Sequence, residues 1–66
     1  MSTDFRALAH VQKEIEKLRT EQIAFMAAGR AETFDEYQKL CGVIRGLNLA
    51  DQAINDLVQR MEKADE

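Results

Sequence analysis

A chain of 66 residues with a formal charge of −3, one cysteine and no proline buries only about 60% of the surface that its unfolded form exposes, and a lone thiol offers no internal disulfide to compensate. The charge is modest and no basic stripe is present, which argues against a nucleic-acid surface. A hydrophobic share of 45% argues against disorder, and no apolar run approaches the roughly 20 residues that span a bilayer.

Ala, Leu, Glu, Gln, Lys and Arg dominate, so the chain is built for helix. Ser2, Thr3 and Asp4 offer an N-cap, and the first helix is expected over residues 4–28. Its apolar positions, Leu8, Val11, Ile15, Leu18 and Phe25, with Phe5 and Met26 at the flanks, recur at spacings of three and four, a heptad seam. Gln22 is the polar member of that seam. The run Lys13-Glu14-Ile15-Glu16-Lys17-Leu18-Arg19 sets charges on the remaining faces and reads as a solvated surface.

Gly29 suits the left-handed position that closes a helix. Thr33 and Glu36, three residues apart, form a capping box that opens the next one, helped by Asp35 and Glu36 at the positive helix start. The expected turn is 29–33 and the second helix 34–63, and a connection this short makes the helices antiparallel neighbours. The second helix carries Tyr37, Leu40, Ile44, Leu47, Ile54, Val58 and Met61 as its stripe, with a flanking row of Val43, Ala50, Leu57 and Ala64. Asp51 interrupts the stripe, and Asn48 and Asn55 beside it suggest a small polar layer. Ala64-Asp65-Glu66 puts acid at the negative helix end and should fray. The expected fold is all-α, an antiparallel two-helix hairpin of coiled-coil type forming one domain over 1–66, completed to a bundle by oligomerisation or a partner, because the apolar stripe is broader than one helix contact needs.

Gly42 and Gly46 lie four residues apart within the second helix, where each costs about 1 kcal/mol relative to alanine. Together with Ala50 and Ala53, and with Leu49, Val43 and Leu57 alongside, they make a face on which another backbone can approach closely. Three explanations fit this spacing: accommodation of the first helix or a bend within the chain, contact with a second chain, or a ligand site. On the second explanation Gly42, Val43, Gly46, Leu49, Ala50, Ala53 and Leu57 are the interface residues.

Residues able to carry chemistry are few. His10 is the only histidine; it could pair with Asp51 or join Glu14 at metal-ligand spacing, but a boundary ion pair or plain exposure accounts for it as well. Cys41 reads as a small apolar residue beside the stripe, with Lys39 and Arg45 pointing to other faces. Phe34 and Tyr37 read as core and hinge packing. No catalytic, cofactor-binding or metal-binding residues are assigned, and the expected protein is not an enzyme. The N-terminal MSTDFRALAH is too polar for a signal peptide, which with the lone thiol implies a cytoplasmic setting.

The segment Tyr37-x-x-Leu40-Cys41-Gly42-Val43-Ile44-x-Gly46-Leu47-x-x-Ala50 resembles a helix-packing pattern in small α-helical accessory proteins of tailed bacteriophages. The resemblance implies a virion-associated or assembly protein, at a head or tail connector, found in the host cytoplasm or the particle, and it implies no catalytic residue. The expected function is therefore protein–protein interaction or structural support, with a homo-oligomer or a larger protein assembly as partner and neither nucleic acid nor membrane involved. The alternative is a phage-encoded inhibitor or sequestering module that binds a host protein or a small anionic ligand.

Overall fold

The computed structural model describes residues 3–64. Two helices, α1 (Thr3–Ala27) and α2 (Phe34–Ala64), pack on each other as an antiparallel hairpin 50 Å long and about 15 Å across. A cap at Ser2 and the fraying of Asp65 and Glu66 lie outside the described residues. Three of the four helix limits depart from the sequence expectation by one residue, the ordinary imprecision of helix termini, and the start of α2 at Phe34 coincides with it.

The connection from Ala28 to Thr33 is closed at both ends by local hydrogen bonds. Gly29 has φ of +70°. Its N–H donates to the Met26 carbonyl at 3.0 Å, and the Arg30 N–H donates to the Phe25 carbonyl at 3.4 Å. These two bonds form a Schellman motif, with Gly29 as the left-handed residue. The side-chain contact that normally accompanies the motif is here cationic: the Arg30 guanidinium stands 5.6 Å from the centre of the Phe25 ring.

At the start of α2 the Thr33 Oγ1 accepts from the Glu36 N–H at 3.1 Å. The Glu36 Oε2 in turn accepts from the N–H of Glu32 at 2.8 Å. This is a capping box shifted by one residue, since the reciprocal bond goes to the residue before the cap. The Thr33 carbonyl accepts the first helical bond, from Tyr37 at 3.1 Å.

The contact between the helices corrects the expected seam. The residues of α1 shielded by α2 are Phe5, Leu8, Gln12, Ile15, Arg19, Gln22 and Met26. Val11, Leu18 and Phe25, expected in that seam, stay 44%, 46% and 41% exposed. On α2 the shielded row is Leu40, Ile44, Leu47, Asp51, Ile54, Val58 and Met61, while Tyr37 is 44% and Phe34 71% exposed. Phe34 and Tyr37 stack on each other at 6.5 Å between ring centres rather than entering a core. No described residue is fully buried, because two cylinders touch along one line and shield only one side of each other.

Two substitutions test the turn. Thr33→Ala should destabilise the hairpin by about 0.5–2 kcal/mol through the lost cap bond. Gly29→Ala should cost about 1–2 kcal/mol, since an added Cβ meets nothing and the penalty is that of a left-handed L-residue alone. Thermal or urea melts check both; an unchanged midpoint for either would place the helix boundary elsewhere.

Candidate interaction face

Each residue advances about 100° around a helix, so the rows flanking the contact can be placed from the shielded residues. Val11, Leu18 and Phe25 lie roughly 80° to one side of the line by which α1 faces α2. Val43, Ala50 and Leu57 lie at the same angle on α2. Because the helices run antiparallel, both rows emerge on the same broad face of the hairpin. At the turn end of that face Phe25 and Leu40 line one shallow depression with Glu36 and Lys39, a grouping that puts these rows on one side.

The opposite face is closed by polar bridges. Gln12 Nε2 donates to Asn55 Oδ1 at 3.0 Å, and Arg19 Nη1 donates to Asn48 Oδ1 at 3.0 Å. Arg19 also lies 3.9 Å from the Asp51 carboxylate. Such a partly exposed ion pair contributes at most about 1 kcal/mol, but with the two amide bonds it fixes the register of one helix on the other. Toward the turn this side becomes apolar, with Ile23 exposed and Cys41 half-buried.

The two flanks of the seam therefore differ in kind. One is spanned by hydrogen bonds, and the other is an open strip of aliphatic and aromatic side chains. The strip ends in carboxylates at both ends of its rows, Asp4 on α1 and Glu36 on α2, each one heptad from the nearest apolar member. Its outer rim on α1 carries Glu14 and Glu21; its outer rim on α2 carries Lys39, Gly46, Ala53 and Arg60.

The structure divides the expected interface residues. Val43, Ala50 and Leu57 belong to the open strip, and Gly46 and Ala53 to its rim. Gly42 and Leu49 point away from α1, and Leu49 is 57% exposed. A Cβ built on Gly42 or Gly46 meets nothing within 4 Å. The glycines therefore make no room for α1, which removes accommodation of the first helix as the reason for their spacing. Sequence reasoning missed Gln12 and Arg19 as bridging residues. The signal was present: Gln12 and Arg19 stand seven residues apart, as do Asn48 and Asn55, so matched polar heptads mark the closed flank.

His10 is exposed on the outer side of α1, and the ion pair that Asp51 makes is with Arg19. Cys41 is half-buried as a free thiol. Among the described residues no three His, Cys, Asp or Glu side chains group as metal ligands would, and no helix is long and apolar enough to cross a membrane. The chain matches no protein-family model, no curated protein and no solved structure.

The free space at the glycines sets a sign. In the single chain Gly42→Ala and Gly46→Ala should each raise stability by about 1 kcal/mol, the reverse of Gly29→Ala. Melts of dilute protein, at a concentration where the mass is that of one chain, check this. Loss of stability at either site would reveal a packing constraint inside the hairpin.

Proposed function

We propose that the chain is a non-enzymatic protein–protein interaction module: a helical hairpin that completes its hydrophobic core against helices of another protein chain. The observation that supports this most directly is the open strip of Val11, Leu18, Phe25, Val43 and Leu57, all 40–48% exposed. Scattered exposed apolar residues need no explanation, but a continuous patch with a polar rim marks a site of interaction. In the heptad pattern of a helical bundle these rows are core rows. The hairpin contact uses the neighbouring rows, which include Gln12, Arg19 and Asp51.

The resemblance of Tyr37–Ala50 to a packing pattern of tailed-phage accessory proteins gives this module a setting. It would serve as a structural accessory in a virion or an assembly intermediate, in the host cytoplasm or the particle. Within that segment Val43 and Ala50 belong to the open strip and Gly46 to its rim, so the segment that carries the resemblance also supplies part of the proposed docking surface.

The test is whether the dilute, folded single chain presents this face. An apolar fluorescent dye should bind it, and Leu18→Glu combined with Val43→Lys should abolish the dye signal while the helical circular dichroism persists. The dilute chain should also be marginal, melting below about 45 °C, the lower edge for ordinary domains. A single chain that binds no dye and melts above about 65 °C would be a self-sufficient hairpin, and the reading would fall.

A further inference from the structure

We infer that the occupant of the open face is a second copy of this chain, laid face to face with its turn at the same end, so that two hairpins close into a four-helix bundle. The inference rests on the interaction-module reading and adds the identity of the partner and its orientation.

Surface area supports a partner of this size. A compact monomer of 7.5 kDa exposes about 4,200 Å², whereas this chain exposes 5,352 Å², an excess of roughly 1,100 Å². A stable protein–protein interface removes about 800 Å² from each partner. The excess is of the magnitude that one such contact would cover.

Shape and pattern support a copy of itself. The exposed rows run from Val11 to Phe25 on α1 and from Val43 to Leu57 on α2, equal in length and lying side by side. A second hairpin presents the same two rows at the same spacing, and a two-fold axis lets one patch serve as both halves of the contact. In the resulting bundle the inner positions of each helix are the exposed row plus the adjoining half of the seam. On α1 these are Leu8, Val11, Ile15, Leu18, Gln22 and Phe25, and Gln22 is the single polar member. Gln12 and Arg19 remain on the closed flank, bonded to α2 as they are in the single chain.

Charge selects between the two ways of stacking the faces. With the turns at the same end, α1 of one copy lies over α2 of the other; with the turns at opposite ends, like helix lies over like helix. The rim of α1 is acidic (Glu14, Glu21) and that of α2 is basic (Lys39, Arg60). The first arrangement runs an acidic rim beside a basic one on both sides, with Glu14 and Glu21 one heptad along the axis from Arg60 and Lys39, and the second runs acid beside acid and base beside base. Rim charges govern orientation and partner choice more than affinity, which is the role assigned to them here. The same arrangement lays Glu14 and Glu21 over the stretch containing Gly46 and Ala53, where small residues leave room for their stems.

Sedimentation equilibrium and paired spin labels test this. The wild-type mass should rise with concentration to twice 7.5 kDa. Leu18→Glu should return it to a single helical chain, while Leu49→Glu, on the outer side, should leave the dimer intact. A gentler pair, Glu14→Lys with Glu21→Lys, should weaken association several-fold, and adding Lys39→Glu with Arg60→Glu should restore it; this exchange keeps the proposal testable if Leu18→Glu fails to fold. Labels on Glu32→Cys, in a Cys41→Ser background, should lie within about two interhelical spacings, on the order of 20 Å. A separation approaching the 50 Å length of the hairpin would overturn the orientation. Loss of the dimer with Leu49→Glu but not Leu18→Glu would move the contact to the outer side and overturn the face. A single-chain mass at every concentration would overturn the second copy; if that chain still binds dye and melts low, the module reading survives with a different partner, and if it does neither, both fall.

Discussion

The constraint on which this structure depends is geometric: a helix pair shields one side of each helix and no more. Each helix contributes one half-buried row to the contact. The chain nevertheless has a hydrophobic share of 45%, more than two facing rows hold. Full burial is beyond a hairpin of this length however well it packs, and no described residue reaches it. Folding alone therefore leaves apolar surface in water, where each square ångström costs about 25 cal/mol relative to burial. The open strip is a consequence of having two helices rather than a flaw in how they fit.

Two helices that touch along a line can roll on one another, and something must stop them. Here the stop is polar. The bridges from Gln12 to Asn55 and from Arg19 to Asn48 lie a heptad apart on both helices and all on one flank. Rolling the pair to bury Val11, Leu18 and Phe25 would carry Gln12 and Arg19 out of reach of their partners. The bonds are individually modest, about 0.5–1.5 kcal/mol each. Their effect is to choose which flank is closed, and so which is left for another chain. The same residues that weaken the seam as a hydrophobic contact define the face.

The turn was legible in the sequence because its signals are local. Gly29, Thr33 and Glu36 act on backbone groups within a few residues, and the Schellman bonds and the shifted capping box follow from them. Hairpin architecture followed from the turn and from helical spacing. Half of the expected α1 seam, Leu8, Ile15 and Gln22, faces α2 and the other half, Val11, Leu18 and Phe25, does not, and the reason is physical. Hydrophobic periodicity reports where apolar side chains lie once every contact is made, whereas the rows that face each other in a single hairpin are set by the helix pair and its polar bridges. Val11, Leu18 and Phe25 follow the first pattern; Gln12 and Arg19 follow the second. Phe34 departs from core packing for a related reason: it is the first residue of α2, beside the turn, and stays 71% exposed.

The glycines show where sequence reasoning ends. A pair four residues apart obeys the same spacing whether it admits a neighbour from its own chain or from another, so the pattern could not choose. Free space around both positions removes the first option, and the helical cost of about 1 kcal/mol at each is then uncompensated within the hairpin. Gly46 lies on the rim of the open strip, where a side chain would stand between α2 and a helix laid across it. Gly42 points outward, and the structure gives no packing reason for it. The two positions, alike in sequence, thus separate once the fold is known: one borders the face that the polar bridges leave open, and the other lies beyond it.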